Sequence, residues 1–325
     1  MGMATGLDHD LSRFVNSLRK TGYEGHIILG VNADIDESRL AYFERQRVTP
    51  KFIKYSNCTY EPFQPEGDED ANDDSLLREL SVCSEPYLDV KGRWAKYPMG
   101  RDWLRDCPTC TGPVLITDVR DVFFQHDPFG PGTPEVTGLQ VYEEHKNVTT
   151  GHWLVDWPVG DCKGVHLKEP MLCSGTTIGT REAMIAYLDA MYGEMKRWIS
   201  DPKCRFKTAA DDQSIHNWLF YNGDLKDAVA VKNREGVVNT VGFEGDVVFR
   251  DNEKRFREKG VADPHEQPFP GATSRTWIST EFGLTNEDGE FTNFDGTISP
   301  VVHQFDRLCG PFYNWMNTKG VFSYD

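Results

Sequence analysis

The sequence predicts an α/β fold: a mostly parallel central sheet flanked by helices, in a single domain with two lobes. Three observations carry this reading. Helical and buried-strand patterns alternate along the first half of the chain. The 325 residues, 38% hydrophobic and 12% aromatic, can bury a substantial core. No apolar run approaches the roughly 20 residues that cross a bilayer.

The elements follow in order. Residues 11–23 (LSRFVNSLRKTGY) place Leu11, Phe14, Val15 and Leu18 at helical spacing, and residues 25–32 (GHIILGVN) read as the buried strand they feed. A second strand is expected at residues 51–55 (KFIKY), ahead of an acidic loop at residues 61–75 (EPFQPEGDEDANDDS). Residues 94–107 (WAKYPMGRDWLRDC) look helical in their second half, and residues 112–118 (GPVLITD) form the clearest strand. Residues 130–162 are rich in turn formers and aromatics, with a strand at 138–142. Residues 180–199 predict an amphipathic helix capped by Thr180, with Ala183, Met184, Tyr187, Leu188 and Met191 on one face. A further helix runs over 211–223, from acids that suit its dipole to a stop at Gly223. Short strands are expected at 228–231 and 247–249, and no internal repeat is present.

A net charge of −16 argues against nucleic acid as a partner, since phosphate backbones are held by Lys and Arg clusters. Of the eight cysteines only Cys107 and Cys110 form a C-x-x-C, with no second pair to complete a zinc site. That motif precedes a strand rather than opening a helix, unlike a thioredoxin-type site. An even number of spread cysteines, with sequons at Asn57 and Asn147, points to disulfides and a secretory-pathway lumen. The start, MGMATGLDHDL, is not a signal peptide, so a membrane is expected as a partner only through an anchor absent from this chain.

The chemistry concentrates in residues 114–129, VLITDVRDVFFQHDPF. Ligands of open α/β sheets bind beyond the carboxyl ends of the strands, where Asp118 and Asp121 fall. Two carboxylates there suit Mg²⁺ or Mn²⁺, which can hold a diphosphate leaving group. Arg120 would repel such an ion if it pointed inward, so it is expected to face outward or to partner an acid.

This stretch resembles the DxD region of GT-A fold nucleotide-sugar glycosyltransferases, in which D-x-D precedes an apolar run and Asp-Pro. The six residues from Asp121 to Asp127 match the family's distance from its second DxD acid to the acid of Asp-Pro. Asp121 therefore takes the metal-ligand position. The first acid would fall on Val119, so Asp118 stands one residue early: either a bulge returns it to the metal, or it contacts the nucleotide ribose. MLCSGTTIGT (171–180) is similar to the segment that lines donor sugar and acceptor, with Ser174 and Gly175 matching and Cys173 in place of Asn. DDQSIHNWLF (211–220) resembles the D-Q-x-x-x-N helix, and His303 in VVHQFDR stands where many such enzymes supply a third metal ligand.

The resemblance implies sugar transfer from a nucleoside diphosphate sugar, foremost a UDP-sugar, to a hydroxyl of a glycan or glycoprotein in the Golgi lumen. Residues 1–129 would form the nucleotide-sugar lobe and residues 130–325 the acceptor lobe. Asp118, Asp121 and His303 would hold Mn²⁺ or Mg²⁺. Backbone near Thr5 and Gly6 would meet the base, with Arg120, Ser174, Gly175 and Gln213 further along the donor and Arg307 or Lys319 at the leaving phosphate. Asp211 or Asp212 would position the sugar or act as general base, with the stereochemistry left open. Trp153 and Trp157 could stack on a sugar, while Trp198 and Trp218 fit a core. A haloacid-dehalogenase-like phosphatase expects a Thr or Ser after the acids, where this chain has Val122. A non-catalytic glycan-binding module of the same fold is the other alternative.

Overall fold

A computed structural model describes residues 1–5, 10–60, 81–204, 211–243 and 283–305. The expected strand at 247–249, the acidic loop at 61–75, and Gly6, Arg307, Lys319 and Cys309 lie outside the described residues. The fold is mixed α/β with six α-helices among them.

Strands β1 (Gly2–Met3), β2 (Ile27–Asn32) and β3 (Val48–Ile53) pair in parallel. Helix α1 (Asp10–Lys20) links the first two, and α2 (Glu37–Arg45), capped by Asp36, links the second to the third. Strands β4 (Tyr55–Asn57), β5 (Val82–Ser84) and β6 (Tyr87–Lys91) form a separate antiparallel sheet. A 3₁₀ turn (Gly92–Ala95) then opens α3 (Lys96–Arg105), which returns the chain to β7 (Val114–Thr117). The Met1 nitrogen donates to the Leu115 carbonyl at 2.7 Å, and the Thr117 nitrogen to the Met1 carbonyl at 3.0 Å. This is the bonding of a parallel pair, and it joins β7 to β1.

On its other side β7 pairs with β10 (Leu172–Gly179), followed by β9 (Leu139–Glu143) and β11 (Val229–Val231). The strands thus run in the order β3-β2-β1-β7-β10-β9-β11. Chain connections move one way from β1 to β3 and resume on the other side of β1 at β7. The carboxyl ends of β1 and β7 flank this reversal, which is where α/β sheets leave a crevice for ligands.

The central sheet is mixed, with the expected parallel pairing interrupted once. Four of the six pairings along that order are parallel, and β10 is antiparallel to both its neighbours. A strand buried on both faces reads as an unbroken apolar run in either direction, so its pattern carries no orientation.

Alternate residues of the central strands enter different apolar layers. Ile28, Val114 and Ile116 face α3 and the long helix α5 (Arg181–Ser200), while Leu29, Val31 and Leu115 face α1 and α2. A third sheet orders β12 (Val238–Thr240), β13 (Val301–His303) and β8 (Val122–Phe124). α1 holds its β8 edge through the Ser17 hydroxyl, which accepts from the Phe124 nitrogen at 3.1 Å.

The turn-rich stretch hides a helix, α4 (Trp153–Lys163), capped by His152 and containing Pro158. Proline cannot donate to the carbonyl four residues back, here Leu154. The Ser214 hydroxyl donates to that carbonyl instead, at 2.6 Å, from α6 (Asp211–Tyr221). A tertiary contact therefore supports a helix that local propensity disfavours. As expected, Thr180 caps α5 by accepting from the Ala183 nitrogen at 3.3 Å.

Leu188, fully buried between α5 and the sheet, tests this core. Leu188→Ala should cost about 2–5 kcal/mol in urea unfolding; a loss below about 1 kcal/mol would show that the layer is not close-packed.

Candidate metal and donor site

The site forms where the sheet's ends meet the third sheet. Asp118 follows β7, and its backbone nitrogen donates to the Gly175 carbonyl at 2.8 Å. Three residues later, Asp121 precedes β8, whose register pairs Val122 with His303 of β13. That pairing brings the imidazole to Asp121, Nε2 lying 3.6 Å from Oδ1. One ligand atom from each of Asp118, Asp121 and His303 lies within 4.8 Å of the others.

These donors fit a small divalent cation. Two carboxylates and an imidazole suit Mn²⁺ or Mg²⁺. Asp121 and His303 are buried, and His303 Nε2 has no hydrogen-bond partner among the described residues. Its other nitrogen, Nδ1, lies 3.4 Å from the Cys173 sulfur, which orients the ring. A Cβ on Gly175 would sit 2.5 Å from the His303 ring and 2.8 Å from Asp118 Oδ2, so only glycine lets these side chains meet.

Lys96, the first residue of α3, bridges the site's acids. Its Nζ lies 3.2 Å from Asp118 Oδ1 and 3.1 Å from Asp212 Oδ2, and Asp212 also accepts from the Tyr97 hydroxyl at 3.0 Å. Burial disfavours the Lys96 charge, but Asp118 and Asp212 outweigh it and hold the ammonium above its ordinary range. Burial likewise pushes the Asp212 carboxyl up, yet Lys96 brings it below the usual carboxylate range. Burial works against charging His303, but the Cys173 sulfur and the Asp121 carboxylate favour it and raise the imidazole well above its usual value.

The remaining predicted residues are distributed around this centre. The Arg120 guanidinium is over half exposed and 3.5 Å from Asp121 Oδ2, so it both faces outward and partners an acid. Ser174 and Gly175 lie in β10, within the register shift between Cys173 and Thr177. Thr5 follows β1, half-buried, at the sheet reversal. The Gln213 amide donates to Glu144 Oε1 at 2.9 Å. Asp211 opens α6; its side chain lies outside the described residues. Asn217 ties α6 to β10, its amide exchanging two 2.8 Å bonds with the Leu172 backbone. On α4, Trp153 and Trp157 expose 44% and 56% of their surface with ring centroids 6.0 Å apart, while Trp198 is buried and Trp218 partly so.

Sequence reasoning missed Lys96 and Glu144. Lys96 carries no motif. Glu144 ends the run GLQVYE-E, and the rule that singles out Asp118, an acid at the end of an apolar strand, applies to it equally.

Gly175→Ala should lower Mn²⁺ affinity at least about tenfold in calorimetric titration while the protein stays folded; unchanged affinity would remove these three residues as a metal site. A second expectation concerns His216, buried behind the site with Nδ1 2.9 Å from the Tyr187 hydroxyl and held down to about 4 by burial. Because the folded value is depressed, the unfolded chain takes the proton first as pH falls below about 6.5. Stability should drop by roughly 2 kcal/mol more between pH 7 and pH 5 in the wild type than in His216→Gln. Parallel urea midpoints across that range would count against it. No protein-family model matches the chain and no curated protein sequence matches it, so the chemistry rests on this geometry.

Proposed function

We propose that the protein is a metal-dependent glycosyltransferase of the GT-A fold, moving a sugar from a nucleoside diphosphate sugar, foremost a UDP-sugar, to a hydroxyl of a glycan or glycoprotein. The observation that carries this reading is the convergence of Asp118, Asp121 and His303 at the sheet reversal, from segments nearly two hundred residues apart that each resemble that family.

Transfer breaks the bond from the anomeric carbon to the diphosphate oxygen, which leaves with the electron pair. The acceptor oxygen bonds to that carbon and gives its proton to a base. A divalent ion held by Asp118, Asp121 and His303 would supply charge that neutralises the leaving diphosphate. Arg120 adds positive charge at the rim, and the backbone at Thr5 lies beside the crevice where the base would enter.

Asp212, paired with Lys96 and held below its usual range, is a poor proton acceptor. Its chemistry suits fixing Lys96 and the donor sugar. The exposed Trp153–Trp157 pair on α4, a helix packed against α6, offers an aromatic face to the acceptor. Three cysteine pairs at disulfide distance, Cys58–Cys83, Cys107–Cys110 and Cys162–Cys204, support a secretory-pathway location such as the Golgi lumen. No described helix is long and apolar enough to cross a membrane.

The test is nucleotide release from a panel of UDP-, GDP- and CMP-sugars with Mn²⁺ or with chelator. Release should require the metal and fall at least about a hundredfold in Asp121→Ala. No release from any donor would sink the transferase reading, and phosphate release from monoesters would favour a phosphatase instead.

A further inference from the structure

Glu144, one residue past β9, is 1% exposed, and its backbone nitrogen bonds the Met171 carbonyl at 2.8 Å. Its Oε1 accepts from the Gln213 amide at 2.9 Å and from the Gln304 amide at 3.4 Å. Its Oε2 is buried and has no hydrogen-bond partner among the described residues. No described Lys or Arg lies within ion-pair distance of it.

A scaffold role accounts poorly for this arrangement. Burying a carboxylate without a counter-charge is costly, and leaving one oxygen unsatisfied adds to the cost. Glutamine has the same shape, would keep an oxygen for both amides, and would carry no charge. What glutamate alone supplies is an acceptor that cannot be flipped. A carboxylate offers only lone pairs, so each glutamine must turn its NH₂ toward Glu144 and leave its carbonyl oxygen for another group. Neither amide can then reverse its donor and acceptor ends.

Gln213 follows Asp212 at the start of α6, and the Gln304 nitrogen bonds the Asp121 carbonyl at 2.8 Å, so both glutamines adjoin the site. We propose that Glu144 is a positioning residue that fixes the Gln213 amide with its carbonyl oxygen as the acceptor for a hydroxyl of the donor sugar. This deepens the transferase reading and rests on it: recognition of the donor falls on a sugar hydroxyl acting as hydrogen-bond donor, which a deoxy or fluoro substituent cannot replace.

The experiment compares wild type and Glu144→Gln using whichever UDP-sugar the wild type turns over best, together with its deoxy and fluoro analogues. In the variant the amide can flip, so KM for the sugar donor should rise at least about tenfold. Affinity for UDP with Mn²⁺ should stay unchanged, discrimination against the analogues should shrink, and Tm should hold or increase. Wild-type kinetics in Glu144→Gln would overturn the inference and leave the transferase reading standing. A Tm several degrees lower would overturn it in favour of a scaffold role. Absence of nucleotide release by the wild type would sink the transferase reading, and this inference with it.

Discussion

Four carboxylates gather at one end of the central sheet: Asp118, Asp121, Glu144 and Asp212. Like charges so placed repel, and the ammonium of Lys96 is what lets two of them share the site, 3.2 Å from Asp118 and 3.1 Å from Asp212. That bridge ties the start of α3, the end of β7 and the start of α6 to one point. The Asp212 arm is the stronger, since both its side chains are mostly buried, whereas the Asp118 side chain is 43% exposed and its charge is screened by water. Lys96 also leaves Asp118 Oδ2 turned toward His303 and Gly175, so a single cation orients one acid while another of that acid's atoms stays with Asp121 and His303, a group that could hold a metal ion.

The other two acids are compensated differently. Asp121 has His303 and an exposed Arg120 beside it; among the described residues, Glu144 has two amides on one of its oxygens and none on the other. Stability alone would not select the pairing seen at Glu144 among the described residues, because a carboxylate kept in a core without full partners weakens the fold. Sites that act on a charged ligand accept this cost, since the ligand supplies the missing partner when it binds. Asp212, with Lys96 and Tyr97, is the well-satisfied member of the group.

Close approach of backbone to side chain makes the cluster possible. Gly175 sits where β10 loses register between Cys173 and Thr177, and the shift lets the strand pass beneath His303 and Asp118. Asn217 stabilises the irregular end of that strand by bonding both backbone groups of Leu172. Ser214 on the same helix reaches the Leu154 carbonyl that Pro158 leaves without its helical donor. One face of α6 thus carries Gln213 into the site and holds two neighbouring segments in place. These are side chain to backbone bonds, which secondary-structure patterns do not encode.

What the sequence determined by itself was the local chemistry. Apolar runs and helical spacing located β2, β7, β9, β11, α1, α3, α5 and α6, because those signals depend only on neighbours a few residues away. The resemblance carried by the spacing from Asp121 to Asp127 pointed to Asp121, and strand-end logic pointed to Asp118, although nothing local told whether one or both would meet His303. Tertiary structure decided that, by pairing His303 with Val122 across β8 and β13. It likewise decided the antiparallel direction of β10, the helix around Pro158, and the places of Lys96 and Glu144. In each case the deciding contact joins residues far apart in the chain, and its energy exists only once the fold has brought them together.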